Sequence, residues 1–473
     1  MFSIGRILRE SSKFTAVSVL SKLVSLPVTV ILGRALSAEQ FGAVAAVTLV
    51  LQYASLISPG FTNASAREIA HHSGADEAAL AEDVESVANA ADLCFSLVAF
   101  AVLLGVAAFQ VTTFGRVAYG AVALIYLAER FKTYYFNANY YRQRFNVNVL
   151  ANTVGAFANP VVAVLLVSSV HEYALLAAPL AASVAGTFCY ALRSDQGLVF
   201  RWDPRQALRL FKVGSVLSLT GLAFWAYRLV DRTAITLFLS PAQLGYYFYA
   251  ATYTLMALNV LADFGRVLES MLWSRLGASA QDAPLRNEVV KLSLFIACVG
   301  GAAIPVLQVG YEFLVTLFVP RFSGTSRLFD VMSLAILPSL VAMVPHVLLR
   351  SKVANKQHLL LWLYAGAALV GFGVDALAIK LGYGLVTIVW LSLACAALVA
   401  VVLVILTRTS VSGSPTELMR FAAELSLPAG AVLLAFLAFD GVRQLTGSAL
   451  LAASVGPPII GSLPLLRFMV KGR

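Results

Sequence analysis

The sequence predicts an all-α polytopic membrane protein, and three observations carry that prediction. Of the 473 residues, 60% are hydrophobic and only 12% are charged, whereas roughly a quarter are charged in soluble globular proteins; the mean hydropathy is +0.83. Apolar runs near the roughly 20 residues that a helix needs to cross a bilayer recur along the chain. The period-two alternation of a transmembrane barrel is missing from them.

Taken in order, the predicted spans are Phe14–Leu32, Phe41–Ile57, Ala88–Phe109, Val117–Phe136, Val147–Val170, Ala174–Leu192, Val213–Leu239, Leu244–Leu261, Val290–Leu307, Phe329–Leu349, Leu359–Ala378, Leu385–Leu406, Phe421–Phe439 and Leu450–Phe468. That makes about fourteen transmembrane helices, with Tyr311–Val319 read as a short interfacial helix and Ser58–Val87 as the longest loop. An even number of spans puts both termini on one side. Lys and Arg decide which side, because they concentrate in cytoplasmic loops. With the amino terminus inside, 25 of the 34 lie in inner segments and 7 in outer ones, Lys22 and Arg228 being within spans. Both termini are therefore expected in the cytoplasm of a multi-pass inner-membrane protein, and no cleavable signal peptide is expected at the amino terminus.

The net charge of +10 follows from this topology and from attraction to anionic membrane lipids, so no nucleic acid is expected as a partner. The aromatic and basic stretch KTYYFNANYYRQRF, from Lys132, reads as an interfacial belt. Cys94, Cys189, Cys298 and Cys395 lie singly in apolar spans without metal-type spacing, as small core residues. The five histidines are scattered, so no metal and no cofactor is expected.

The chain also repeats itself. LSAEQFG, from Leu36, returns as LSPAQLG, from Leu239, with Leu, Ser, Gln and Gly matching position for position; SVLS at Ser18–Ser21 returns at Ser215–Ser218. Two landmarks in the same order predict that spans one to six and seven to twelve are copies. An even number of spans per copy keeps their orientation, so the lobes are related by a pseudo-twofold along the membrane normal, as in transporters that rock two halves about a central site. The predicted organisation is a six-helix lobe at residues 1–212, a second at 213–408, and two additional C-terminal transmembrane helices at 409–473.

Ionisable residues at membrane depth usually face a partner or a wet cavity. Lys22 lies in the first span, and Arg228, Asp231 and Arg232 fall at i, i+3 and i+4 of the seventh, on one helix face. Under the repeat they face one central, cationic cavity. Against this stand a structural ion pair for Arg228 and Asp231 and snorkelling for Lys22. Asp92 and Asp375 are further acids within spans, with Asp263 at the end of the eighth.

On LGRALSAEQFG, GFTNASAREIA and VDRTAITLFLSPAQLGYYFYA, the chain resembles the O-antigen and capsule repeat-unit flippases of the polysaccharide transport family, within the multidrug/oligosaccharidyl-lipid/polysaccharide exporter superfamily. The resemblance implies alternating access and, as partner, an undecaprenyl-pyrophosphate-linked oligosaccharide, with a polysaccharide polymerase and chain-length proteins nearby. It implies that Lys22, Arg228 and Arg232, with Asp231 beside them and Arg34 and Arg67 near the cavity mouths, meet the pyrophosphate, and it leaves Asp92, Asp263 and Asp375 as coupling candidates. A multidrug or other small-molecule cation antiporter of the same fold is the alternative, although such a cavity calls for acids. An enzyme is not expected: a polymerase or ligase calls for a large outer loop, and a glycosyltransferase for an Asp-x-Asp or glycine-rich phosphate motif.

Overall fold

The computed structural model describes residues 22–411 except 23, 57–58, 75–77, 142–143, 195–196, 279–302 and 351–355; for 66–67, 70–74, 78, 140–141, 145, 213, 260–278 and 408–411 it describes the backbone alone. The described residues form helices and no strand. In order these are α1 (Val24–Ala35), α2 (Ala38–Leu56), α3 (Phe61–Gly74), α4 (Ala78–Ala108), α5 (Thr113–Tyr141), α6 (Phe145–Val170), α7 (Ala174–Arg193), α8 (Pro204–Arg228), α9 (Val230–Phe238), α10 (Pro241–Ala278), α11 (Ala303–Phe318), α12 (Ser326–Leu334), α13 (Ile336–Arg350), α14 (Gln357–Lys380) and α15 (Leu385–Val411).

Among the described residues, five stretches are long and apolar enough to cross a membrane: Ala79–Ala108, Asn146–Arg193 (which joins α6 to α7), Pro320–Arg350, Gln357–Lys380 and Leu385–Thr407. Helix α8, bent by 47° between Lys212 and Gly214, makes a sixth. The outward side of α14 shows why these helices need lipid. Trp362 is 73% exposed and Leu369 76%, whereas Leu360 and Tyr364 are buried; a soluble protein rarely leaves such a stripe uncovered. The chain is an all-α, multi-pass membrane protein.

Several boundaries differ from those expected. Ser58–Val87 is not a loop, since most of it forms α3 and the first turns of α4. Ala64 and Ile69 of α3 and Ala81, Val84, Val87, Ala88 and Ala91 of α4 bury one face against Ala207 and Leu210 of α8, an amphipathic packing that needs no membrane-length run. The seventh span is broken at Leu229 into α8 and α9, and the tenth at Ala335 into α12 and α13. Tyr311–Val319 belongs largely to α11 rather than to a separate interfacial helix. Cys94 is exposed, not a core residue. The two C-terminal spans, Cys298 and most of the first span lie outside the described residues.

Two compact units divide the chain, one of residues 16–245 and one of 1–15 with 246–473. In the first, Val44 and Val47 of α2, Leu103 of α4, Val122 and Tyr126 of α5 and Leu176 of α7 share a core. In the second, Ile304 of α11 packs with Leu334 of α12 and with Ile336, Leu340, Val344 and Val347 of α13. Rings reinforce that second core: Tyr249 stacks on Phe322 at 4.2 Å, and Tyr311 stacks on Phe329 at 4.0 Å. Buried Gln308 donates to Asp330 O at 3.0 Å and to Ser333 Oγ at 2.9 Å.

The repeated heptad has a local structural meaning in both copies: it starts a helix. Ser37 Oγ accepts from Gln40 N at 3.2 Å while Gln40 Oε1 accepts from Ser37 N at 2.9 Å, a reciprocal capping box at the head of α2. At the head of α10, Ser240 Oγ accepts from Gln243 N at 3.4 Å and Gln243 Oε1 from Ser240 N at 3.2 Å. The glycine that closes each heptad does something different. A Cβ on Gly42 would lie 1.7 Å from the carbonyl oxygen of Pro241, and one on Gly245 would lie 1.7 Å from that of Ala38. The two copies therefore cross backbone to backbone, each glycine receiving the other copy's carbonyl. Only residues without a Cβ permit that approach.

Candidate functional site

The break in the seventh span builds the charged site. Helix α8 starts firmly, with Pro204 in its first turn and Asp203 Oδ1 accepting from Arg205 N at 2.9 Å and Gln206 N at 3.2 Å. It ends at Arg228, where Leu229 adopts φ −107° and ψ 5° and serves as cap to both α8 and α9. Such a break leaves carbonyls at one helix end and amides at the next. Arg228 thus sits in the last turn of α8, where a cation is favoured, and Asp231 in the first turn of α9, where an anion is favoured. Asp231 Oδ1 accepts from Arg232 N at 2.7 Å.

The neighbouring cations are placed differently. Arg228 is half-buried, its guanidinium 5.9 Å from the Phe224 ring centroid. Arg232 is only 4% exposed and turns into α2. Its Nη2 donates to Ala45 O at 2.7 Å and to Thr48 Oγ1 at 2.7 Å, and its Nη1 donates to Gln52 Oε1 at 3.0 Å. The next residue adds a tie, because Thr233 Oγ1 and Tyr53 Oη lie 2.8 Å apart. Helix α9 is moored to α2 by these contacts. Ala45, Thr48 and Gln52 were missed as functional residues, although their i, i+3, i+7 spacing already puts two polar groups on one face of an apolar helix.

Lys22 is half-buried near α1, and Arg34 is exposed at its other end. The side chains of Arg67 and Asp263 lie outside the described residues. Asp92 is 1% exposed on α4 and accepts from Tyr134 Oη at 2.8 Å and from Ser96 Oγ at 3.5 Å. Asp375, on α14, is likewise 1% exposed. Asp92, Arg228, Asp231 and Arg232 are all in the unit of residues 16–245, whereas Asp375 belongs to the other. Buried Arg130 donates to Ser55 O at 2.7 Å and lies 5.0 Å from the Tyr126 ring, fixing α5 to the end of α2. Among the described residues, no group of three His, Cys, Asp or Glu converges.

A second close approach lies where α8 meets α3. A Cβ on Gly214 would lie 2.1 Å from Gly60 O, and Gly60 itself has φ +93°. Around it, Asn63 Nδ2 donates to Ser218 Oγ at 2.9 Å and Arg209 Nη2 meets Glu68 Oε2 at 2.7 Å. Arg201 and Asp83, at 2.6 Å, tie the segment before α8 to α4.

Residues 31–324 match the family model described as polysaccharide biosynthesis protein. The chain belongs to that family. No curated protein sequence matches it, but solved structures show the fold. The lipid II flippase MurJ in an inward closed conformation aligns with a TM-score of 0.67 at 13% identity, covering 97% of this chain and 98% of the flippase. An inward-facing multidrug resistance transporter of the MATE family and MOP superfamily aligns with a TM-score of 0.65 at 14% identity, covering 87% and 98% of the two chains. A MOP superfamily transporter from Pyrococcus furiosus, described as having a binding pocket of reverse polarity, aligns with a TM-score of 0.63 at 15% identity, covering 88% and 96%. The family member thus has the fold of these transporters.

Proposed function

We propose that this chain is an alternating-access flippase. It moves undecaprenyl-pyrophosphate-linked oligosaccharide units from the cytoplasmic to the outer leaflet of the bacterial inner membrane, for surface polysaccharide synthesis such as that of O-antigen. The observation that carries the reading is membership of a polysaccharide biosynthesis family combined with a transporter fold. Saccharide units assembled on a lipid in the cytoplasm must cross the membrane before they reach the surface, and a polytopic member with this fold suits that step. A polysaccharide polymerase and chain-length proteins would act on the delivered product.

The site supports the anionic headgroup. A pyrophosphate crossing a bilayer needs positive charge in a protein-lined path, and the planar guanidinium offers it paired donors. Arg228, half-buried at the break of the seventh span, would do this in our reading, with Lys22 of the first span as its counterpart and Arg34 and Arg67 toward the mouths. Arg232, with three hydrogen bonds committed to α2, positions α9 and contributes its charge through that placement. Asp92, Asp263 and Asp375 remain the candidates for coupling to an ion gradient.

The assay that tests this reading uses purified protein in lipid vesicles. It should flip the pyrophosphate-linked saccharide lipid and leave a lipophilic cationic drug where it is. Drug transport without lipid flipping would favour the cation antiporter and sink the flippase. Topology gives a separate test. In a chain without its native cysteines, Ser323→Cys should react with an impermeant thiol reagent applied to intact cells and Ser194→Cys should not. Labelling at Ser194 alone would reverse the orientation, and with it the cytoplasmic placement of both termini.

A further inference from the structure

We propose that residues 199–212, which lead into the seventh span, form a binding surface for anionic phospholipid of the inner leaflet. The stretch VFRWDPRQALRLFK carries four basic residues and one acid. It lies at a membrane edge, because the membrane-length stretch that includes α7 ends at Arg193 and Pro204–Lys212 bends by 47° away from Gly214–Arg228. One side of this first part of α8 belongs to the protein core, where Ala207 and Leu210 pack on α3 and α4. On the opposite side Arg205, Leu208, Arg209 and Lys212 follow at i, i+3, i+4 and i+7, so they share a face, and all four are exposed. Leu208 is 54% exposed, and exposed Phe211 extends its apolar edge; just upstream, Trp202 is 60% exposed.

Two features choose the partner. Basic side chains alone would suit any polyanion in water, but Trp202, Leu208 and Phe211 beside them would then stay wet. Apolar and aromatic groups along one edge with Arg and Lys along the other suit the headgroup boundary of a bilayer, where the first reach acyl chains and the cations snorkel to phosphate. Part of the charge is also uncommitted. Asp203 caps α8, Asp83 pairs with Arg201 and Glu68 with Arg209, whereas Arg205 and Lys212 form no ion pair with another described residue. These two are left to select an anionic headgroup. In the proposed topology the segment faces the inner leaflet, whose lipids supply it.

No transport substrate is needed to test this, since Trp202 reports from within the surface. In full-length protein carrying Trp225→Phe, Trp273→Phe, Trp362→Phe and Trp390→Phe, reconstituted in phosphatidylcholine, brominated phosphatidylglycerol should quench Trp202 more strongly than brominated phosphatidylcholine does. Each basic residue near an anionic surface strengthens attraction about fivefold, so the relative binding constant from the two quenching curves should favour phosphatidylglycerol by at least about fivefold. Arg205→Gln with Lys212→Gln should bring that ratio to within about twofold of unity. Both residues are exposed, so folded yield should hold. A chain that keeps Trp362 instead, on the outward side of α14, should show no such preference. Quenching of Trp202 by both lipids alike, or by neither, overturns the proposal. A second arm keeps every tryptophan and so survives any failure of the phenylalanine variants to fold. Native mass spectra of the chain released from bilayers of the two lipids should show fewer phosphatidylglycerol molecules retained by the Arg205→Gln, Lys212→Gln variant than by the unmodified chain. Equal retention by the two also overturns it.

Discussion

Replacing Arg232 by Ala should deplete folded protein from the membrane rather than weaken transport in a protein that still folds. The guanidinium is 4% exposed and bonds Ala45 O, Thr48 Oγ1 and Gln52 Oε1. Hydrogen bonds to a charged group are worth about 1.5–3 kcal/mol each, and buried partners left unmatched add a penalty. Against a total stability of about 5–15 kcal/mol, losing the set should lower the melting temperature of the purified protein by many degrees. Arg232→Lys keeps the charge but not the fork, so it should recover only part of the loss. Normal yield and melting behaviour in Arg232→Ala, with flipping abolished, would return this residue to the substrate path.

Gly60→Ala should be nearly as damaging, for backbone reasons. With φ at +93° the position lies where side chains with a Cβ are strained by about 1–3 kcal/mol. The new methyl would also meet the carbonyl carbon of Gly214 at 2.3 Å. The strain and the collision act on the closest backbone approach between α8 and the head of α3, which the packing of Ala64 and Ile69 on Ala207 and Leu210 depends on. By comparison, Glu68→Gln nearby breaks a partly exposed ion pair and should change stability by less than about 1 kcal/mol. Thermal denaturation of both variants checks the ranking, which an innocuous Gly60→Ala would contradict.

How much of this was legible beforehand varied with the physics involved. The span Ala174–Leu192 announced α7 to within one residue, and Leu385–Leu406 gave the start of α15 and fell five residues short of its end, because uninterrupted apolar length is a strong signal. Helix α3 was invisible to that criterion. Its core residues are Ala64 and Ile69, with Phe61 one turn before Ala64 packed beside them, in a segment too polar to cross a bilayer. The repeat was readable as a sequence match, but its two duties, capping box and glycine crossing, needed the partner segment in view.

At the charged site the spacing of Arg228, Asp231 and Arg232 put them on one continuous helix. The break at Leu229 separates the first from the other two, and no proline or glycine marks it: FWAYRLVDRTAI contains neither. Sequence could not show which arginine the scaffold had already claimed. The answer lay in Thr48 and Gln52, some 180 residues away in the chain.

The central claim is that cationic side chains at the seventh-span break and in the first span bind a pyrophosphate headgroup during transport. Its most direct test is the rate of flipping of the pyrophosphate-linked saccharide lipid in reconstituted vesicles, normalised to folded protein, for Arg228→Gln, Lys22→Gln and the unmodified chain. A lost charge-assisted contact should lower the rate roughly ten- to a hundredfold in each variant while folded yield holds. Unmodified rates from both variants would contradict the account.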